Sequence, residues 1–292
     1  MTLSANFSPP LRTDGPQLAD WAELVMLAEE RERASRSSLR RRLAVSAASL
    51  DEADLDLLVG EVARREAIAP TSYPYSVTEA GIRRTSDDIS IYDFLLIAAH
   101  EEARFRQDGD FDEANQLFDM VGREALKNLV GPRSSGVRFE WRALDGGPVP
   151  FGEALSWLAD QLDIPEGNAT RRAQRKDGGV DVVAWQPFRD GRTSYPLVLA
   201  QCTLQQKYQR KGSDIQLDLW KAWIRFGSDP MTALVIPFVV PLSDDRWSEM
   251  RYTVSVILDR MRLCELLEDT EPAPLTAEVS DWVRSQISHL IS

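Results

Sequence analysis

Apolar residues recur at spacings of three and four through most of the first 130 positions, which is the signature of amphipathic helices. Leu18, Trp21, Ala22, Val25 and Ala28 form one stripe from Gln17 onward. Leu55, Leu58, Val59 and Val62 form a second, and Ser49 with Glu52 ahead of it has the spacing of a capping box. Phe94, Leu95 and Ala98 mark a third helix over Ile91 to Arg106. Leu117, Val121, Ala125 and Leu129 mark a fourth over Gln116 to Leu129. PTSYPYSV at 70–77 reads as a turn, and residues 1–16, rich in Pro, Ser and Gly, read as a loose arm. The expectation is an all-helical N-terminal domain over 17–130.

The period changes in the second half. GVRFEWR from Gly136 to Arg142 alternates as a strand does. DGGP at 145–148 is a turn, and Phe151 to Leu162 aligns Leu155, Leu158 and Leu162 on one helix face. Three near-continuous apolar runs follow: Val180 to Trp185, Leu197 to Thr203 and Ala233 to Val240. Such runs fit strands covered on both faces. A helix with Trp220 and Trp223 over Asp214 to Phe226 lies between the last two runs, its two tryptophans spaced for a core. Further helices are expected near Arg246–Leu267 and Thr276–Leu290. The expected architecture over 135–292 is α/β, a mixed sheet flanked by helices.

Composition narrows the chemistry. The 292 residues carry 34 Lys plus Arg against 46 Asp plus Glu, a formal charge of −12. That balance opposes strong non-specific binding to nucleic acid by the chain as a whole, though it allows a local basic groove. No run approaches the roughly 18 apolar residues of a membrane span, and the N-terminus lacks the layout of a secretory signal, so a cytoplasmic protein is expected. Two Cys, Cys202 and Cys264, exclude a disulfide framework and a CxxC zinc site. Two His, His100 and His289, exclude a multi-His metal centre, and neither lies near a nucleophile-elbow sequence. No GxGxxG and no GxxxxGK[ST] occurs, so nucleotide cradles of those kinds have no support. The chemistry rests on carboxylates, amides, hydroxyls, Lys and Arg.

One stretch concentrates them. Asp177-Gly178-Gly179-Val180-Asp181 opens an apolar run, and Gln201-Cys202-Thr203 closes the next. A carboxylate beginning one strand and a polar pair ending its neighbour can meet at one sheet edge. The glycine pair allows a sharp turn before Asp181. Glu153 opens the preceding amphipathic helix. Two carboxylates and a carbonyl oxygen converging on one point make an oxygen site of the kind Mg²⁺ takes.

Phe151-Gly152-Glu153, Asp177-Gly178-Gly179-Val180-Asp181 and Gln201-x-Thr203 together resemble the PD-(D/E)xK nuclease superfamily, in its Gln-containing Mrr-type restriction endonuclease form. The resemblance covers about 150–240. It implies a restriction-endonuclease-like fold and Mg²⁺- or Mn²⁺-dependent cleavage of DNA, with RNA as the alternative, in a bacterial restriction or anti-phage role. Glu153 matches the helix acid, Asp181 the metal-binding Asp and Gln201 the Gln that stands for an acid. A main-chain carbonyl near Cys202 would complete the metal set, while the Cys202 side chain is expected in the core. Asp119 in Leu117-Phe118-Asp119 is a rival helix acid; Glu153 is preferred because it lies close before the Asp181 run. Thr203 stands where the family keeps a Lys that orients water and offsets charge. Lys207 is the candidate substitute. If it does not serve, a catalytically inactive nuclease fold that binds nucleic acid or a protein is the alternative.

Arg171, Arg172, Arg175 and Lys176 on one side, and Arg210 and Lys211 on the other, flank the expected site and suit a phosphate backbone. Arg31, Arg33, Arg36, Arg40, Arg41 and Arg42 form a second basic run, interleaved with Glu29, Glu30 and Glu32, which reads as a solvated helix face. The helical domain is a candidate dock for a protein partner. Restriction-type nucleases often pair to cut two strands, so a homodimer is one assembly the resemblance allows. No membrane partner is expected.

Overall fold

Hydrophobic stripes with helical and strand periods each find a covered face in the computed structural model, which describes residues 14–45, 51–100, 110–139, 145–148, 150–168, 178–242, 244–268 and 273–291. The first half runs α1 (Gly15–Ala28), β1 (Arg33–Ser35), α2 (Arg36–Val45), α3 (Glu52–Ile68), β2 (Tyr75–Thr78), β3 (Gly81–Arg84), α4 (Ile91–His100) and α5 (Asp110–Val130). The second runs β4 (Ser135–Arg138), α6 (Phe151–Leu162), β5 (Val182–Trp185), β6 (Leu197–Cys202), α7 (Leu217–Trp223), β7 (Met231–Val235), α8 (Asp245–Met250), β8 (Val256–Leu258), α9 (Arg260–Leu267) and α10 (Ala273–Ile291). Among the described residues no helix is long and apolar enough to cross a membrane.

These elements gather into two compact units. One comprises Met1–Glu101, Phe238–Ser243 and Arg260–Ser292; the other comprises Glu102–Pro237 and Asp244–Asp259. The division differs from the expected one at 130/135. α5 packs on β4, β5 and β6 and so belongs with the second unit, while α9 and α10 pack on α4 and belong with the first. A boundary drawn where the sequence period changes misses both, because a chain can leave a unit and return to it.

The first unit is not all-helical. β1, β3 and β2 form an antiparallel sheet in that spatial order, with Ala34 opposite Ile82 and Val77 opposite Ile82. Strands of three and four residues are too short to display alternation, so the 70–77 stretch reads as a turn although Tyr75–Thr78 is β2. The α3 capping box is formed by Asp51 and Asp54: the Asp51 carboxylate accepts from the Asp54 N–H at 3.1 Å, and the Asp54 carboxylate accepts from the Asp51 N–H at 2.9 Å. Ser49 and most of the 1–16 arm lie outside the described residues.

The second unit is built on a five-stranded mixed sheet ordered β4-β5-β6-β7-β8. β4, β5 and β6 run antiparallel in turn, and β6, β7 and β8 run parallel. α7 makes the crossover between β6 and β7 that a parallel pair requires. Every residue of β5 is buried. Ala114, Leu117, Phe118, Val121, Ala125 and Leu126 of α5 are buried, whereas Leu129, expected inward, is 36% exposed in the last turn. Trp220 and Trp223 are buried in an aromatic cluster with Phe139 and Phe151, and Trp220 Nε1 donates to Gly178 O at 3.1 Å. They are core residues, as their spacing indicated.

The helix expected over Arg246–Leu267 is broken into α8, β8 and α9. The Thr253 hydroxyl donates to Met250 O at 2.8 Å at the end of α8, and Ser255 N donates to Thr232 O at 2.9 Å. Those bonds turn the chain alongside β7, where Val256–Leu258 adds a fifth strand that a helical reading of the apolar spacing hides.

Candidate metal centre

Two glycines set the first side chain of the site. Gly179 has φ +76°, and a Cβ there would lie 2.0 Å from Asp214 O, so only glycine lets the chain pass this point. Two residues on, Asp181 locks into the sheet: its N–H donates to Ala200 O at 2.8 Å, and its carbonyl accepts from Phe139 N at 2.6 Å. The Asp181 carboxylate therefore stands at the start of β5, beside the end of antiparallel β6.

Residues at the end of β6 grip that carboxylate. Asp181 Oδ2 accepts the Cys202 N–H at 2.7 Å and the Gln201 Nε2 amide. Gln201 Nε2 also donates to Cys202 O at 3.1 Å. Asp181 and Gln201 are half-buried, while Cys202 is 8% exposed. The sequence-predicted meeting of Asp181 with the Gln201-Cys202 pair is present.

The third contributor comes from α5. Asp119, Asp181 and Cys202 each offer one ligand atom, and these atoms lie within 4.8 Å of one another. Asp119 is 5% exposed. One turn along the same helix, Gly122 leaves room for the sulfur: a Cβ there would sit 3.0 Å from Cys202 Sγ. The group thus joins a helix, the start of one strand and the end of another, with its Asp181 side the more open to solvent.

Other expectations separate here. Glu153 is exposed in the first turn of α6, whose buried face is Leu155, Leu158 and Leu162, and it stands outside the group. An acid in a first turn is stabilised by the helix dipole without any further role. The acid facing Asp181 is Asp119, the rival. The signal for it in the sequence is a carboxylate directly after Phe118 on an amphipathic helix. Cys202 contributes its sulfur to the group, and its carbonyl, the expected ligand, accepts from Gln201.

Thr203 is 6% exposed; its N–H donates to Val235 O at 3.1 Å and its Oγ1 accepts from Gln205 N at 3.2 Å. Lys207 is exposed, and no hydrogen bond or ion pair among the described residues ties it to Asp119 or Asp181. Arg210 is exposed, and Lys211 lies 3.7 Å from Asp214. Arg171, Arg172, Arg175 and Lys176 lie outside the described residues.

In the first unit, acids take up much of the arginine run. Arg31 pairs with Glu29 at 2.5 Å, Arg36 with Asp56, and Arg40 stands 3.9 Å from Glu52. The solvated-face reading describes these residues.

Beside β4, burial would raise the carboxyl of Asp145, a turn residue. Hydrogen bonds from the Arg138 side chain and backbone, with the charges of Arg138 and Arg123, outweigh it and hold Asp145 below the usual aspartate range. Arg138 Nη2 lies 2.7 Å and Arg123 Nη1 2.9 Å from its oxygens.

Comparison with family models, with curated proteins and with solved structures finds no match to this chain. The site alone therefore speaks to function. Two carboxylates, a thiol and an orienting amide can hold a divalent cation, and half-burial of Asp181 leaves an approach for a second ligand.

Proposed function

We propose that the second unit is a metal-dependent phosphodiesterase with a restriction-endonuclease-like fold, acting as an endonuclease on DNA. The observation that carries this reading is the approach of Asp119 to Asp181 at the end of a sheet where Gln201 holds the Asp181 carboxylate. The order α5, β4, α6, β5, β6, α7 and β7 also supports it: a helix, three antiparallel strands with α6 inserted after the first, then a crossover helix and a parallel strand.

The carboxylates fit a hard divalent cation, Mg²⁺ or Mn²⁺ on the resemblance. Asp119 and Asp181 would hold it. Such an ion polarises a phosphoryl oxygen and makes water acidic enough to attack at neutral pH. Gln201 and the Cys202 N–H keep the Asp181 carboxylate in one orientation, as groups behind metal ligands commonly do. Lys207 and Arg210, both exposed on the segment after β6, are cations available to a phosphate backbone. The restriction or anti-phage role and pairing of two copies are proposals from the resemblance; docking of a protein on the first unit is a proposal from that unit's helices.

Supercoiled plasmid incubated with Mg²⁺ and then Mn²⁺ tests this. The wild type should nick or linearise it, and Asp119→Asn and Asp181→Asn should abolish cleavage while Glu153→Gln retains it. Equal cleavage by wild type and both Asp variants overturns the reading.

Thr203 favours a second reading, a nuclease-fold subunit that binds nucleic acid without cutting it. Thr203 is buried and bonded where the family carries its Lys, and Lys207 is held to neither carboxylate by a contact. Retardation of a DNA fragment by a wild type that cleaves with neither ion supports that reading over the first.

A further inference from the structure

We infer that the Cys202 thiolate is a direct metal ligand, and that the centre accordingly selects a borderline-soft divalent ion such as Zn²⁺ over Mg²⁺. This rests on the metal-centre reading above but replaces its Mg²⁺ or Mn²⁺, taken from the resemblance and the carboxylates alone, with the ion that the added sulfur favours.

Three facts of geometry carry it. The sulfur lies within 4.8 Å of the Asp119 and Asp181 ligand atoms, so the donor set is two carboxylates and a thiol from three separate elements. Gly122 follows Asp119 by three residues on α5, and the missing Cβ is what admits the sulfur against the helix; an alanine there would place its Cβ 3.0 Å from Sγ. The main-chain N–H of Cys202 holds Asp181 Oδ2 at 2.7 Å, so one residue both orients a carboxylate and presents the thiol beside it.

Ligand softness then decides the ion. Mg²⁺ demands octahedral oxygen ligands and gains little from sulfur. Zn²⁺ takes Cys sulfur at about 2.3 Å and carboxylate oxygen at about 2.0–2.2 Å, and catalytic zinc sites typically use three protein ligands with a fourth position open. Asp119, Asp181 and Cys202 supply three, and the half-buried Asp181 side supplies the opening. On ligation the Cys202 S–H bond breaks, the sulfur keeps the electron pair it donates, and the proton passes to the buffer, so uptake strengthens as pH rises.

The test is Co²⁺ titration of the full chain, read by the near-ultraviolet sulfur-to-cobalt charge-transfer band, with Zn²⁺ and Mg²⁺ competing. Wild type and Cys264→Ser should develop the band, and Cys202→Ser should not. Cys202→Ser should also weaken Zn²⁺ binding by about 10–100-fold and Mg²⁺ binding by less than about twofold. Circular dichroism identifies any variant that fails to fold; Cys202→Ala is then read in its place. Co²⁺ uptake without the band, equal in wild type and Cys202→Ser, overturns the thiolate inference and leaves a carboxylate centre standing. No uptake by folded wild type overturns the centre itself.

Discussion

Arg260 and Asp20, 240 positions apart, meet through two hydrogen bonds of 2.7 and 2.9 Å inside the first unit. Arg65 donates to the same carboxylate at 2.6 Å and to Glu23 at 3.0 Å, and the side chains of both arginines are fully buried. Tyr73 Oη and Tyr92 Oη each donate to Glu23 at 2.5 Å. The network ties α1, α3, α4 and α9 together, and this is why the chain's return at Arg260 belongs with its beginning. Burial alone would raise the Asp20 carboxyl, but the charges of Arg260 and Arg65 outweigh it and hold it low.

Breaking a buried pair leaves a charge without its counterpart and costs about 3–5 kcal/mol. Arg260→Met and Asp20→Asn should each destabilise the first unit by that much, read as a lower urea midpoint at unchanged slope. The double variant should cost less than the sum of the two, because both remove one interaction. Strict additivity would mean the pair is not coupled.

Asp145 gives a pH test in the second unit. Its folded pKa lies below the usual 3.8, whereas the unfolded chain titrates near that value. Above that range both states are ionised and the stabilisation is fully present. As pH falls from about 5 toward 2 the unfolded state takes up the proton first, and stability is lost. The Asp145→Asn variant should be less stable at neutral pH and lose less on acidification. Denaturant midpoints across that range measure it; parallel curves for variant and wild type would count against the assignment.

The sequence exposed some of this arrangement and hid the rest for physical reasons. Long elements with a full period are legible: α6, β5, β6 and α10 lie within a few residues of where periodicity puts them, and α5 starts six residues before its apolar stripe. Asp181 and Gln201 were legible because a polar residue at the end of an apolar run has few neighbours to choose from. Sequence proximity favours Glu153 over Asp119, yet packing of α5 across the sheet brings Asp119 to Asp181 from 62 residues away. Proximity along the chain carries no information about which helix covers a sheet. β1, β2, β3 and β8 are too short to show a period, and the Arg260–Asp20 tie is non-local by construction.

Gly179 offers a local test of how the site is set. A Cβ at φ +76° would meet Asp214 O at 2.0 Å, and that oxygen belongs to the backbone and cannot swing aside. Strain of about 1–3 kcal/mol adds to overpacking of similar size, so Gly179→Ala should cost about 2–5 kcal/mol. It should also weaken divalent-ion binding, since Asp181 takes its place two residues later. A variant with unchanged Tm and unchanged ion affinity would show that the turn does not position the carboxylate.

Gly122→Ala separates stability from metal binding at the same centre. Alanine in a helix interior is favoured over glycine by about 0.8–1.0 kcal/mol. Against that, the new methyl would lie 3.0 Å from Cys202 Sγ and 3.5 Å from Val235 Cγ1. Overpacking of a close-fitted site costs about 1–3 kcal/mol, so the net loss should be small, about 0–2 kcal/mol. The sulfur is the softer neighbour because it can rotate about χ1, while Val235 is held in the sheet opposite Cys202. Rotation would carry Sγ away from Asp119 and Asp181. The expected result is a folded protein with a melting temperature lowered by no more than about 8 °C, a weakened charge-transfer band with Co²⁺, and a Zn²⁺ affinity reduced by about tenfold or more. Mg²⁺ affinity should hold, because the carboxylates keep their places. A band of wild-type strength in this variant would show that the sulfur reaches the ion without the space that Gly122 provides.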